Sequence, residues 1–439
     1  MFDRRLLQNF DWVLLLLTLT ICAIGVVSIF SASKGYPGHA EYWIRQIYWI
    51  GIGCGVGFFM LLVDFRTIAV WSYALHVLAT ISLVVILFID SGGRVNRWFM
   101  VGGVAIQPSE FIKFTTVLAV AYYFRDARRV GNISLYQLIL PVLFVAIPFL
   151  LIVNQPDLGT ALILWLIFLP MIVMAGLRWR FLIVLFVGGL VGVGVLAASF
   201  NFGYYQVTDK VVASLRRDKD PLEVRAAVAA VQDRWYLRSW ALRNDIAQAL
   251  PPGEHGLLLE RVEKLAFRTY ISHILRPYQQ QRLVTFINPE LDPLGAGYHV
   301  IQSRVAVGSG QVIGKGYGNS TQGNLNFLPA RHTDFIFSIF AEEWGFLGAL
   351  GLITLYSMLI WRSLSIVFQT HDRFSAFVTM GVVAVIVTQM VINMGMAIGL
   401  LPVVGVPLPL FSYGGSSMIT LLMGMAILLN IRMRRFIWS

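Results

Sequence analysis

Apolar residues along this chain gather in stretches of about 20 positions, the length that carries an α-helix across a ~30 Å hydrocarbon core. Ten such stretches follow one another, at roughly 11–32, 43–63, 67–89, 109–124, 134–153, 157–175, 181–200, 335–361, 374–395 and 415–431. The pattern predicts an all-α integral membrane protein with ten transmembrane helices. The first stretch opens after Arg4 and Arg5 and is followed by nine more, so it reads as an anchor rather than a cleaved leader. A long polar segment, 201–334, separates the seventh stretch from the eighth. The predicted organisation is therefore helices one to seven in 1–200, a large loop in 201–334 and helices eight to ten in 335–439.

Basic residues in short loops give the orientation. One side holds 13 arginines: Arg4, Arg5, Arg66, Arg125, Arg128, Arg129, Arg178, Arg180, Arg362, Arg373, Arg432, Arg434 and Arg435. The other side holds four cations in its short loops: Lys34, Arg45, Arg94 and Arg97. Both termini are expected in the cytoplasm and the long loop outside. Part of that loop, about 209–276, reads as a charge-dense helical insert. Asp220-Pro221-Leu222-Glu223 is a helix start, with an Asp cap and Pro in the first turn. Apolar residues then recur at helical spacing from Val224 to Ala249, up to Pro251-Pro252, and a second helical stretch covers about 257–275. The insert resembles a solvated surface domain and is expected to be dispensable for chemistry.

Composition narrows the class. The chain is 57% hydrophobic and 13% charged, where a soluble domain carries about 25% charged residues. That excludes an ordinary cytosolic enzyme, a disordered chain and a fibrous one. The net charge of +11 would suggest nucleic acid in a soluble domain; in a membrane protein it reports inner loops and anionic lipid, and no nucleic-acid partner is expected. The two cysteines, Cys22 and Cys54, lie in apolar stretches and form no metal or disulfide spacing.

Candidate chemistry lies where polar residues persist at the outer ends of the spans, because charge at membrane depth is costly and marks either function or a buried pair. Gly92-Gly93-Arg94-Val95-Asn96-Arg97-Trp98 follows the third span, and Gln107-Pro108-Ser109-Glu110 with Lys113 opens the fourth. Gln107 or Ser109 is a candidate cap there. Glu110 and Lys113, three apart, share a helix face. Asp157, in Asn154-Gln155-Pro156-Asp157-Leu158-Gly159-Thr160, is either a helix-start carboxylate or the partner of Lys113, and the pairing with Lys113 is the sharper expectation. Glycines around Lys315 suggest a backbone shaped to approach a phosphate, although the spacing fits neither the P-loop nor the dinucleotide fingerprint. His332 and Asp334 precede the eighth span, but positions i and i+2 point to different faces. Last, Gly399 to Ser417 holds prolines and glycines between two spans, an irregular backbone tolerated at membrane depth only against protein or a cavity. Ser416 and Ser417 there either cap the tenth helix or offer amides to an anion.

Taken in this order on ten spans, the motifs around Arg94, Gln107 to Glu110, Gln155 to Thr160, Arg331-His332-Thr333-Asp334-Phe335 and Ser412-Tyr413-Gly414-Gly415-Ser416-Ser417 resemble the SEDS family of bacterial cell-wall polymerases. The resemblance covers nearly the whole chain except about 209–276. Asp292 to His299 and Gly405-Val406-Pro407-Leu408-Pro409 look more like the rod-shape (RodA) branch than the division (FtsW) branch. The resemblance implies a multi-pass protein of the bacterial plasma membrane that is a peptidoglycan glycosyltransferase. Its implied substrate is lipid II, the undecaprenyl-diphosphate-linked disaccharide-peptide. Its implied partners are a class B penicillin-binding transpeptidase and other elongation-machinery membrane proteins. The family's catalytic carboxylate falls on Asp334. Ala330 stands where the family usually has Glu, so no role of that Glu carries over.

Displacing a polyprenyl diphosphate by a sugar hydroxyl needs a base and cations for the developing phosphate charge. Asp334 fits the base, and Arg94, Arg97, Lys113, Lys315 and Arg331 are the outer-side cations. Glu110, Asp157, His332, Ser412 and Ser416 are expected to support them. No metal-ligand spacing is present; a divalent cation, Mg or Mn, bridged by substrate phosphates would leave little trace. The competing class is a lipid II flippase, which intramembrane charges and a broken backbone also suit. Against it, the two halves show no repeat.

Overall fold

The computed structural model describes residues 8–34, 41–89, 97–101, 104–125, 135–155, 157–177, 282, 286, 289, 296–325, 327, 328 and 330–435. Nine long helices stand where nine of the ten apolar stretches predict them: α1 (Trp12–Ser33), α2 (Tyr42–Leu62), α3 (Phe65–Phe88), α4 (Pro108–Arg125), α5 (Ile139–Asn154), α6 (Leu158–Met174), then, after shorter elements, α9 (Ile336–Gln369), α10 (Arg373–Ala397) and α11 (Gly415–Arg434). Seven of the described helices are long and apolar enough to cross a membrane. The stretch at 181–200 and the insert at 209–276 lie outside the described residues. A two-stranded antiparallel hairpin, β1 (Phe99–Val101) with β2 (Val104–Ile106), precedes α4 and pairs Phe99 with Ile106. Two short helices, α7 (Ala296–Ser309) and α8 (Thr321–Asn324), precede α9. The chain divides into Met1–Arg178 with His299–Ser439, and Trp179–Tyr298; all that follows concerns the first unit.

Aspartates start four of the helices. Asp11 accepts from Leu14 N at 3.0 Å, Asp64 from Arg66 N at 3.0 Å, Asp157 from Thr160 N at 3.2 Å and Asp372 from Ser375 N at 2.9 Å. A carboxylate at that position satisfies an otherwise orphaned amide and meets the positive end of the helix dipole. The helices sort by burial: 83% of the α11 window is inside the protein, against 17% for α2. α4, α10 and α11 form the interior, while α2 and α3 turn most of their apolar side chains outward, as lipid-facing helices do.

Helix α9 extends eight residues past the expected 361, to Gln369, because Arg362 does not end it. That guanidinium stays beside the helix, its Nε 2.9 Å from a carboxylate oxygen of buried Asp11. The same helix breaks at Gly345, with φ 66° and ψ −164°, a region essentially reserved for glycine. The segment after α7 fills the break. Lys315 N and Gly316 N donate to Glu342 O and Glu343 O, each at 3.0 Å, and Phe346 N and Leu347 N donate to Gln311 O and Val312 O at 2.8 and 3.1 Å. Two carbonyls and two amides at the kink thus find partners outside the helix, as backbone groups away from water require. Gly345→Ala should cost about 1–3 kcal/mol from strain alone, and more because its Cβ would meet the Gly314 backbone. Thermal unfolding in detergent measures this; an unchanged midpoint would show that the break tolerates a side chain.

Candidate active site

Asp334 lies in a turn that leads into α9. The turn closes on the carbonyl of Ala330, which accepts from the amides of Thr333, Asp334 and Phe335 at 3.1, 3.1 and 3.3 Å. Ala330 itself holds φ at 54°, uncommon for a residue with a side chain. Helix α9 starts at Ile336 with Phe335 in the cap position and no capping side chain. Asp334 is therefore not the cap of α9, and its side chain is half-buried.

Three successive carbonyls of this turn are held from elsewhere in the fold. His332 O accepts from the Tyr413 amide at 3.0 Å, Thr333 O from the Ser412 hydroxyl at 2.7 Å, and Asp334 O from Asn393 Nδ2 at 3.0 Å. Asn393 Nδ2 also donates to Val406 O at 2.7 Å. The irregular 399–414 segment is thus built to grip the Asp334 turn, and it is anchored in its own right. Tyr356 donates to Pro409 O at 2.5 Å, Leu408 N to Ser412 Oγ at 2.9 Å, and Gln46 Nε2 to Ser412 O at 3.1 Å. Above the turn, the His332 ring stacks on Tyr42 with centroids 4.3 Å apart, and Tyr42 meets Tyr413 at 4.7 Å.

A second strand of polar contacts joins the starts of α4, α6 and α11. Gln107 N donates to Ser416 Oγ at 2.9 Å, and Gln107 Nε2 reaches Ser109 Oγ at 2.9 Å and Asp157 Oδ2 at 3.3 Å. Arg97 Nε donates to Gln155 O at 2.9 Å, two residues from Asp157. Ser416 acts here as an acceptor that ties α11 to α4.

Two expectations are corrected. Lys113 does not pair with Asp157: its Nζ lies 2.8 Å from Glu110 Oε1, and both side chains are almost fully buried. Asp157 instead caps α6, where the Thr160 hydroxyl donates to it at 2.9 Å. The i, i+3 neighbour is within reach without crossing between helices, so it takes the lysine. The glycines around Lys315 also do not open toward a ligand. Gly314 and Gly316, at φ 87° and 92°, bring the loop against the α9 break, whose carbonyls take the amides. Lys315 Nζ lies 2.6 Å from Glu342 Oε1 and 2.8 Å from Thr321 Oγ1. Glu342, wholly buried, also accepts from Ser320 Oγ at 2.5 Å and Thr321 N at 2.9 Å.

Of the other expected cations, Arg331 is buried in the Asp334 turn, its Nη2 3.4 Å from Lys34 O, and Arg94 lies outside the described residues. Sequence reasoning passed over Gln46 and Arg304. Gln46 is a lone amide within an apolar stretch, a signal that was available. Arg304 sits in α7, exposed, and donates to Gly399 O at 2.9 Å; nothing in its sequence neighbourhood points there. Among the described residues no three His, Cys, Asp or Glu side chains come together as a metal site.

A family model described as a cell cycle protein, covering FtsW, RodA and SpoVE, matches residues 9–232 and 257–436. The chain belongs to this family. The unmatched stretch, 233–256, is shorter than the 209–276 expected to lack a counterpart. The peptidoglycan glycosyltransferase RodA of Treponema pallidum is 32% identical, over 98% of this chain and 99% of that protein. The peptidoglycan glycosyltransferase MrdB of Escherichia coli strain K12 is 32% identical, over 97% and 94%. A chain of a solved peptidoglycan synthase complex, studied for how it coordinates polymerization with crosslinking, is 26% identical with a TM-score of 0.65, over 97% of this chain and 98% of that one. The rod shape determining protein RodA of Thermus thermophilus, at 23% identity and a TM-score of 0.56 over 97% and 98%, shares the fold. In this chain the Asp334 turn and the 399–414 segment that holds it form one polar cluster at one end of the helices.

Proposed function

We propose that the chain is a peptidoglycan glycosyltransferase of the rod-shape branch, a plasma-membrane enzyme that polymerises lipid II with Asp334 as general base. Near full-length similarity to proteins named as such polymerases supports the reaction class. The observation that carries the residue assignment is the grip on the Asp334 turn: three consecutive carbonyls fixed by Tyr413, Ser412 and Asn393, leaving the carboxyl half-buried. A base must be held still against the proton it takes, and such placement is worth large factors in rate.

In the proposed step the sugar hydroxyl of one lipid II attacks the anomeric carbon of another, Asp334 takes the hydroxyl proton, and the polyprenyl diphosphate leaves. An α-linked donor and a β-1,4 product make this a single inverting displacement without a covalent enzyme intermediate. Lys113 and Lys315 face Glu110 and Glu342, and Arg94, Arg97 and Arg331 are the other cations proposed to meet the leaving diphosphate. Among the described residues no three His, Cys, Asp or Glu side chains gather to hold a divalent cation by themselves. A class B penicillin-binding transpeptidase is the proposed partner, in keeping with the similarity to a chain of a synthase complex. Purified protein, with and without that partner, incubated with lipid II and run on a gel tests the reading: glycan polymer supports it, and absence of polymer from the folded, partner-bound protein refutes it.

Asn393 is the positioning residue whose removal reads most clearly. Asn393→Ala strips the donor from both the Asp334 and Val406 carbonyls. Polymerisation should then fall between about tenfold and 10²-fold, in kcat more than in KM. A loss confined to KM would mean that Asn393 shapes a binding surface instead.

A further inference from the structure

At the other end of the same helices lies a second polar cluster that the reaction does not use. Buried Asp11 receives Arg362 Nε at 2.9 Å and lies 3.6 Å from Arg432 Nε. Arg434 Nη1 lies 3.7 Å from Asp64 Oδ2, and its Nη2 donates to Leu61 O and Leu62 O, each at 3.3 Å. Two aspartates thus meet three arginines, and Arg435 follows in the chain. The excess is not only arithmetic. Buried Nη1 of Arg432 and buried Nε of Arg434 have no acceptor among the described residues, and a buried charged donor without an acceptor is costly.

Beside this cluster an apolar cleft of about 330 Å³ opens between α1, α2 and α11, lined among others by Trp12, Leu19, Gly53, Gly57, Leu422 and Met433. Gly53 and Gly57 bring α2 close to α11, where a Cβ would meet Leu422 or Ala426. Its rim is contiguous with the charges: Trp12 follows Asp11, Leu61 lines the cleft and gives its carbonyl to Arg434, and Met433 sits between Arg432 and Arg434. An anion with a long apolar tail satisfies both halves at once.

We propose that this end of the bundle holds one anionic phospholipid, its phosphate on Arg432 and Arg434 and an acyl chain in the cleft between α1, α2 and α11. Charge complementarity selects an anionic headgroup over a zwitterionic one. The cleft selects a lipid over a free anion, because apolar surface is favoured by a chain and not by phosphate.

The test uses the full-length protein in detergent, with native mass spectrometry and thermal unfolding, titrated with phosphatidylglycerol, phosphatidylcholine or inorganic phosphate. The expected result is one retained phosphatidylglycerol per chain and a raised unfolding midpoint, with neither effect from phosphatidylcholine or phosphate. Leu19→Trp, which narrows the cleft, and Arg434→Gln, which removes a phosphate donor, should each weaken retention about tenfold. Equal retention of phosphatidylcholine overturns the charge argument, and a shift from phosphate alone overturns the lipid. Should either variant fold poorly, the wild-type comparison of the three additives still decides.

Discussion

Asp334→Asn should lower glycan polymerisation by roughly 10²-fold or more while the protein stays folded and partner-bound. The exchange keeps the size of the side chain and its ability to accept a hydrogen bond, and removes the negative charge and the capacity to take up a proton. The alternative role for an aspartate beside a helix start is a cap, worth about 1 kcal/mol and retained by Asn. The structure gives that role no support, since α9 begins at Ile336 behind Phe335 with no capping side chain. The bonds that close and hold the turn, to the Ala330 carbonyl and from Tyr413, Ser412 and Asn393, are made to backbone atoms that Asp334→Asn leaves in place. A gel assay on the purified complex, beside a thermal melt of the same sample, reads both quantities. Near-normal polymer from Asp334→Asn would end the assignment of the base. The flippase reading predicts that outcome, because moving a lipid needs no proton acceptor at this position.

The second large effect concerns stability. Lys113→Ala or Glu110→Ala should destabilise the protein by about 3–5 kcal/mol, the usual cost of leaving one charge of a buried pair without its partner. The pair is well placed for so large a value: the side chains are 2% and 6% exposed, 2.8 Å apart, in a helix buried against α3, α10 and α11. Replacing both at once, as Glu110→Gln with Lys113→Met, leaves no uncompensated charge and should recover much of the loss. Unfolding midpoints of the three variants in detergent make the comparison. Equal destabilisation by the single and double changes would show that the cost lies in packing rather than charge. Asp157→Ala should be milder, since it removes a helix cap, worth about 1 kcal/mol, and a contact to Gln107.

The sequence by itself determined the helices. Whether a stretch is long and apolar enough to cross a membrane is a property of its own residues, so nine expected spans coincide with described helices, seven of them long and apolar enough to cross. Asp157, held open between a cap and a partner for Lys113, proves a cap; capping needs only the next three residues. Asp334 stands out in the sequence for another reason, as the only carboxylate in 295–334, where a polar stretch meets an apolar helix. What only the tertiary structure decided is which distant group each polar side chain meets. Lys113 had carboxylates at Glu110 and Asp157 to choose from, and the local one took it. The glycines around Lys315 suggest a backbone shaped to approach a phosphate until the break at Gly345 is seen beside them, with the Glu342 and Glu343 carbonyls taking the loop's amides. Arg362 marks only the end of the apolar span; the fold shows it bonded to buried Asp11 while α9 runs on to Gln369. Asn393 and Ser412 show nothing in their own neighbourhoods of the turn they hold, 59 and 79 residues away in the chain. Such pairings depend on how helices pack, and chain order does not record that.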